Sequence, residues 1–416
     1  MTAELRREIE DLLLPFAEDR IAVAVSGGGD SLALLHLLAD LAKEHGFTIF
    51  AVTVDHGLRK EAASEAKAVE EICGQLGVSH TTLKWQGWDG SGNVQNEARK
   101  ARYKLIANWA RSNAIKTITL GHTKDDQAET FLMRLARGSG VDGLSAMAQV
   151  RSFQAVKWVR PLLSIGRKDL RRYLTDIDQT WIEDPSNEDF RFERIKTREA
   201  LKALADLGID ANVLSQVASN MRLAKDALAR QTLHYARQTV SLHAGACCMD
   251  WEQLHLMPDE TRRRLLKAAF GWLSGSVYAP RRRAMQDVWA AVSASGSATL
   301  DGCLLLRKKD NLWICRELNA IRNQSAKPGD LWDGRLRVTG DADTTDGLSV
   351  RSLGVEGLAH CPNWRELGIP REVLLTTPGL WNGEDLVACP LVIPDPTWHA
   401  VLERGEAEFF DAIFSH

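Results

Sequence analysis

The chain contains no Cys-x-x-Cys pair, and its seven cysteines (Cys73, Cys247, Cys248, Cys303, Cys315, Cys361 and Cys389) are scattered. That argues against a disulfide framework and against a cysteine-built zinc site, and it fits a reducing compartment, the cytoplasm. No apolar run approaches the ~20 residues a membrane-spanning helix needs, so no membrane partner is expected. The first residues, MTAELRREIEDLLLPF, carry acids throughout. They predict an amphipathic helix rather than a signal peptide. Neither GxGxxG nor the Lys-Ser/Thr ending of a Walker loop is present at the glycine-rich turn described next. There is also no excess of one charge. The formal net charge is −3, so any polynucleotide contact must come from local basic patches. With 44% hydrophobic and 26% charged residues in 416, the composition is that of a soluble globular protein of two or three domains.

What is present begins at residues 26–31, Ser-Gly-Gly-Gly-Asp-Ser. The apolar run Ile21–Val25 precedes it, and a helical pattern (Leu32, Leu34, Leu35, Leu37, Leu38) follows. Strand, glycine turn and helix start place backbone N–H groups and a positive helix end where a phosphate can sit. Asp30 and Ser31 add a carboxylate and a hydroxyl to the first helical turn. Ser26, Gly27, Gly28, Gly29, Asp30 and Ser31 are therefore the candidate nucleotide cradle.

Strands are expected at 21–25, 48–54, 79–84 and 117–120, and helices at 30–45, 61–77, 93–112 and 124–137. The alternation predicts a parallel twisted sheet with helices on both faces, with ligands beyond the carboxyl ends of the strands. From about 200 to 295 the pattern is wholly helical. Residues 299–316 form a hairpin pattern turning at Lys309–Asn311. Segment 323–330 (NQSAKPGD) has linker composition. Short strand-like pieces follow at 336–338, 348–350 and 386–387. The expected domains are 1–205, a mainly helical 206–322, and a small β-rich 328–416.

Three further segments fall at the ligand end of the sheet. Asp55-His56-Gly57-Leu58-Arg59 closes the second strand, where an acid before glycine can serve a ribose or a metal. In NVQNEARKARYK (93–104), Arg99, Arg102 and Tyr103 share a helix face, and arginine offers a planar fork to phosphate. In GHTKDDQAET (121–130), Thr123 is a predicted N-cap with Asp126 at the third helical position. His122, Asp126 and Glu129 are spaced to converge opposite the glycine turn, and a capping box would not explain His122 and Glu129. Gly138 is a predicted helix stop.

The motif SGGGDS resembles the PP-loop of ATP pyrophosphatases. Taken in order, SGGGDS, DHGLR, NEARKARY, GHTKDDQAETFLMRLARGSG, RPLL (160–163) and WIEDPSN (181–187) resemble the tRNA(Ile)-lysidine synthetase family. The resemblance is dense over residues 21–198 and weaker through TLDGC (299–303) and the tail. It implies a PP-loop ATPase domain that adenylates C2–O of the wobble cytidine (position 34) of tRNA(Ile) with a CAU anticodon. Free lysine is then ligated there, giving lysidine, AMP and pyrophosphate. It implies Asp126 and Glu129 as the lysine-recognising pair with His122 and Asp30 beside them as catalytic residues. It further implies ATP held by 26–31 with Asp55 and His56, Mg²⁺ on the phosphates with Asp30, and Arg99 and Arg102 toward the tRNA. The pattern departs from the family at Thr123, where a second histidine is common, and at Ile195, where an asparagine commonly follows the arginine. No role is assigned to either.

Between Arg262 and Arg283 lie seven basic residues (Arg262, Arg263, Arg264, Lys267, Arg281, Arg282, Arg283) and no acid. Phosphate-backbone binding is expected there, with Arg281, Arg282 and Arg283 as the candidate contacts. Most of the 13 tryptophans, among them Trp272, Trp332, Trp364, Trp381 and Trp398, are expected in cores. A tRNA thiolase would need a reactive or cluster-binding cysteine. A nucleotide-making synthetase would need an ammonia source. A relic RNA-binding fold would not keep Asp30, Ser31, Asp126 and Glu129. The sequence leaves oligomeric state open, a homodimer included.

Overall fold

The computed structural model describes residues 2–57, 62–86, 94–183, 193–276, 280–340 and 345–414. Leu58, Arg59, Asn93 and 184–187 of the motifs above lie outside the described residues, as do the side chains of Gln95 and Asn96. The chain divides into two compact units, 1–225 and 226–416.

In the first unit the elements are α1 (Thr2–Leu13), β1 (Arg20–Ala24), α2 (Gly29–His45), β2 (Thr48–Asp55), α3 (Ala62–Leu76), β3 (Ser79–Lys84), α4 (Val94–Ser112) and β4 (Thr117–Leu120). They continue with α5 (Lys124–Ala136), α6 (Val141–Leu144), β5 (Val150–Phe153), β6 (Val156–Val159), α7 (Arg167–Asp176) and α8 (Glu193–Ala205), and α9 (Ala211–Thr239) begins in this unit and ends in the second. Every strand and helix expected between residues 21 and 137 is present within two residues of its bounds. The sheet order is β3-β2-β1-β4-β6-β5, parallel except for the edge strand β5. β1 lies in the middle, which is why Ile21, Ala22 and Val23 are all apolar and buried. Ile21 and Val23 face a core with α1, α2, α3 and α7, while Ala22 faces a second core with α4 and Trp158. The β5–β6 hairpin was not expected. Its two-residue turn is Gln154-Ala155, both at positive φ (52° and 60°), a conformation normally signalled by Asn-Gly or Asp-Gly. Among the described residues no helix is long and apolar enough to cross a membrane.

The second unit corrects the wholly helical expectation for 200–295. Strands β7 (Val240–His243) and β8 (Ala246–Asp250) interrupt it, joined by an Ala244-Gly245 turn at positive φ (49° and 77°). They join β9 (Ser297–Leu300), β10 (Cys303–Lys308) and β11 (Asn311–Arg316) in an antiparallel sheet ordered β7-β8-β11-β10-β9. Helices α10 (Trp251–Leu256), α11 (Asp259–Ser274) and α12 (Arg282–Ser295) complete this part, and α11 and α12 share its core. The tail holds two three-stranded sheets. One is β12 (Leu331–Trp332), β13 (Leu336–Gly340) and β17 (Trp398–Leu402). The other is β14 (Leu348–Ser352), β15 (Pro378–Asn382) and β16 (Asp385–Ala388). The strand-like pieces 336–338, 348–350 and 386–387 fall inside β13, β14 and β16.

Segment 323–330 does not run free, because Ala326 exchanges backbone hydrogen bonds with Val350 at 3.0 and 2.8 Å. Asp333 accepts hydrogen bonds from Arg316 Nε and from Arg335 Nε and NH2 at 3.0–3.2 Å, and all three side chains are nearly fully buried. Trp272, Trp332, Trp381 and Trp398 are buried and Trp364 is half-buried. All seven cysteines are free and buried.

Candidate active site

Beyond the end of β1 the chain turns at Gly27, whose φ of +84° suits glycine. A Cβ there would meet Ile182 at 2.9 Å, and Ile182 N–H donates to the Gly27 carbonyl at 3.0 Å. Trp181-Ile182 of the WIEDPSN motif thus braces the loop. Gly28 is the N-cap of α2 and Asp30 lies in its first turn. Ser31 Oγ donates to the Gly28 carbonyl at 2.9 Å and accepts from Ser26 N–H at 3.1 Å, so this hydroxyl ties the loop into one shape. Gly121, just past β4, approaches this turn closely. A Cβ on it would lie 3.0 Å from Ser31 Cα and 3.1 Å from the Asp30 carbonyl oxygen.

Thr123 caps α5 in a full capping box with Asp126. Asp126 Oδ2 accepts from Thr123 N–H at 2.8 Å, and its other oxygen accepts from Arg167 NH2 at 3.0 Å and Arg194 NH2 at 2.6 Å. Glu129, one turn on and 1% exposed, accepts from Arg194 Nε and, at 2.7 Å, from Arg198 Nε. Arg167 NH1 lies 3.5 Å from Glu129, and Arg167 Nε donates to Asp30 at 3.1 Å. The Arg167 backbone N–H donates to Asp125 at 2.7 Å. Three carboxylates and three guanidinium groups therefore share one cluster, and Arg167 links the α2 carboxylate to the α5 pair. Burial raises the pKa of Asp30, an effect that Arg167 opposes and Asp126 reinforces. Burial works against the charge of Arg167, but Asp126, Asp30 and Glu129 outweigh it and hold its pKa above the ordinary value.

Asp126 and Glu129 do meet Asp30, through arginines that spacing did not reveal. Arg167 opens α7, and Arg194 and Arg198 share one face of α8, which packs against α5. Nothing local to those segments marks them. Only the i,i+4 spacing of Arg194 and Arg198 hinted at a common face.

His122 lines a cleft with Arg99, Arg102, Tyr103, Leu120 and Trp158. Burial, then Arg160, Arg99, Arg194 and Arg102, push its pKa well below the usual value, so the ring is neutral. As expected from their spacing, Arg99 and Tyr103 share a face, with the guanidinium 5.5 Å from the ring centroid. Asp55 accepts from Gly57 N–H at 2.8 Å, closing its own turn. His56 packs edge-on against Trp85 and has its pKa lowered by burial and Arg102.

The basic stretch 262–283 is less uniform than its sequence suggests. Arg262 pairs with Asp259 and lies over Trp289, and Arg263 and Arg264 pair with Glu260. Arg264 is buried. The two acids immediately before the stretch thus pair with the first triplet. Arg281, Arg282 and Arg283 are exposed at the start of α12.

A strand-turn-helix cradle at the carboxyl end of a central parallel strand, with carboxylates gathered beside it, defines a nucleotide-using PP-loop enzyme. Comparison agrees, since residues 1–204 match the family model of the PP-loop domain. The chain is 46% identical over 397 residues to the tRNA(Ile)-lysidine synthase of Ruegeria pomeroyi, covering 95% of this chain and 94% of that one. It is 36% identical over 334 residues to the tRNA(Ile)-lysidine synthase of Wolbachia pipientis wMel, covering 78% of each. Among solved structures, a U34-tRNA thiolase from Methanococcus maripaludis is similar at 19% identity and a TM-score of 0.46, over 53% of this chain and 78% of that one. The chain belongs to the tRNA(Ile)-lysidine synthase family.

Proposed function

We propose that the chain ligates free L-lysine to C2 of cytidine 34 in tRNA(Ile) bearing a CAU anticodon, through an adenylated tRNA intermediate, and that it works in the cytoplasm. The enzyme is a ligase forming a C–N bond. C2=O of cytidine is a poor electrophile, and adenylation makes its oxygen a leaving group. The observation that carries this reading is the single cluster joining Asp30, beside the phosphate cradle, to Asp126 and Glu129 through Arg167.

In this proposal Ser26, Gly27, Gly28, Gly29, Asp30 and Ser31 hold the ATP phosphates, with Asp55 and His56 at the nucleoside end. One carboxylate at a helix start, beside phosphates, is a donor set that suits Mg²⁺, and Asp30 would hold it. When bound, the ion offsets charge on the departing pyrophosphate. The attacking amine has an ordinary pKa of ~10.4 and arrives protonated. Asp126 and Glu129 would bind and orient it, displacing guanidinium groups that until then keep these carboxylates paired, and His122 stands nearby as a neutral group. Residues 1–205 would carry adenylation, while 206–322 and 328–416 would engage the tRNA. Arg99 and Arg102 would contact it near the target, and Arg281, Arg282 and Arg283 would contact its backbone.

The test is incubation with ATP, lysine and unmodified tRNA(Ile) bearing CAU, followed by mass spectrometry of the nucleosides. Lysidine with stoichiometric AMP is expected. ATP cleavage without a lysine adduct, or no cleavage at all, would overturn the proposal.

A further inference from the structure

Three consecutive glycines, Gly27, Gly28 and Gly29, have no side chains with which to fix the cradle's shape. Glycine also loses more backbone freedom on ordering than any other residue. Within the loop, the Ser31 hydroxyl ties Ser26 to Gly28. Gly27 and Gly29 are held from outside, by the segment 179–183 that follows α7. Ile182 N–H donates to the Gly27 carbonyl at 3.0 Å. The Ile182 side chain fills the space a Cβ on Gly27 would need, at 2.9 Å, and Val69 of α3 lies 3.4 Å from the same point. At Gly29 the Trp181 ring takes that place at 3.4 Å, with Leu174 of α7 at 3.6 Å.

The segment has anchors of its own. Gln179 hydrogen-bonds the His36 ring on α2 at 3.0 Å, across 143 residues of sequence. Gln179 N–H donates to the Leu174 carbonyl at 2.9 Å, closing the end of α7. Arg171 pairs with Glu183 at 3.2 Å, and its guanidinium lies 5.9 Å from the Trp181 ring centroid. Trp181 packs against the core that α1, α2, α3 and α7 share. Residues 179–183 therefore form a strap that is fastened to α2 and α7 and pressed against the glycine turn.

We propose that Trp181 and Ile182 are positioning residues for the phosphate cradle, holding Gly27 and Gly29 in the phosphate-binding shape before nucleotide arrives. The inference rests on the proposed function for the identity of the nucleotide. With the turn already ordered, ATP binding does not have to immobilise three glycines, and the affinity gains what that ordering would have cost. The hydrogen bond from Ile182 also occupies the Gly27 carbonyl, whose oxygen would repel an anion if it turned into the cradle. The effect is confined to the phosphates, because the nucleoside end is assigned to Asp55 and His56 beyond a different strand, β2.

The experiment compares the full-length wild type with Ile182→Ala, Ile182→Val, Trp181→Ala and Trp181→Phe. Binding of ATP, inorganic pyrophosphate and adenosine is measured by calorimetry without tRNA or lysine, and steady-state kinetics with tRNA follow. Ile182→Ala is expected to weaken ATP and pyrophosphate about tenfold, a share of the packing lost when isoleucine becomes alanine, with adenosine affinity unchanged. KM for ATP rises in step, while kcat at saturating ATP and KM for lysine hold, the signature of lost binding rather than lost chemistry. Ile182→Val keeps the branched side chain and restores most of the pyrophosphate affinity. Trp181→Ala weakens the same two ligands. Equal weakening of adenosine and pyrophosphate, or a fall in kcat with KM for ATP unchanged, makes the strap a general structural element and overturns the proposal. So does unchanged pyrophosphate affinity in both alanine variants. Where a thermal melt shows an alanine variant unfolded, Ile182→Val and Trp181→Phe decide. An intermediate loss confined to ATP and pyrophosphate supports the proposal, and wild-type affinity in both overturns it. If the pyrophosphate result holds and no lysidine forms with ATP, lysine and tRNA, the strap stands and the ligation reading falls.

Discussion

Glu129 is nearly inaccessible, and its carboxyl group is held by Arg194 and Arg198. A hydrogen bond to a charged group contributes about 1.5–3 kcal/mol. Glu129→Gln should therefore raise the lysine KM at least about tenfold while adenylation persists, so that adenylated tRNA accumulates. Steady-state kinetics in lysine with a parallel AMP-release assay checks this, and an unchanged lysine KM would remove Glu129 from lysine recognition. Asp30→Ala should abolish AMP release and leave tRNA binding in place. His122 supplies a pH signature. Its folded pKa is depressed, first by burial and then by Arg160, so the unfolded chain binds its proton more readily than the folded one. The stability it confers is present above the unfolded value of ~6.5 and is lost as pH falls below it, at no more than about 1.4 kcal/mol per pH unit. Urea unfolding at pH 7.5 and 5.5 should show a smaller loss in His122→Asn than in the wild type.

At the scale of elements, the end of β4 and the start of α2 approach each other because residue 121 has no side chain. A methyl group there would press on the Ser31 backbone at 3.0 Å, and backbone yields less readily than a flexible side chain. Gly121→Ala should cost about 1–3 kcal/mol, in the range of other overpacking changes, and should raise the KM for ATP because the phosphate cradle moves with Ser31. Thermal melts and ATP kinetics together test this, and a variant normal in both would show that the loop adapts. The two unexpected hairpins, β5–β6 and β7–β8, turn at Gln154-Ala155 and Ala244-Gly245. Three of those four residues are not turn formers, so neighbouring strands, not local chemistry, impose positive φ on them.

Across the whole molecule, the two compact units carry separate cores and are expected to respond separately. Asp333 lies between Arg316 and Arg335 with almost no exposure, and removing one member of a buried ionic group typically costs about 3–5 kcal/mol. Asp333→Ala should lower amide-exchange protection within 226–416 and leave 1–225 unchanged, as read by hydrogen exchange with mass spectrometry. Arg281, Arg282 and Arg283 are exposed in a chain of net charge −3. Replacing all three by alanine should weaken tRNA binding and flatten its salt slope, with ATP and lysine KM nearly unchanged. An unchanged slope would mark them as a solvated face.

Sequence alone determined the first unit to within a residue or two at most element ends up to residue 137. Period-2 and period-3.6 patterns, the glycine turn and the Thr123–Asp126 cap are local signals, and β1 to α5 follow from them. It also selected Asp30 and Asp126, as acids in first helical turns, and Glu129, by its spacing from His122 and Asp126. Only the tertiary structure supplied Arg167, Arg194 and Arg198. Their side chains hydrogen-bond to the acids from α7 and α8 across separations of 41 to 137 residues, and no local pattern encodes such a meeting. Folding likewise set His122 in a cleft with Arg99 and Arg102, a meeting that spacing along the chain does not encode. It also split the basic stretch, because Asp259 and Glu260 lie one helical turn from the first arginine triplet and pair with it. Local order is written in neighbours along the chain, whereas charge pairing is decided by which helices pack together.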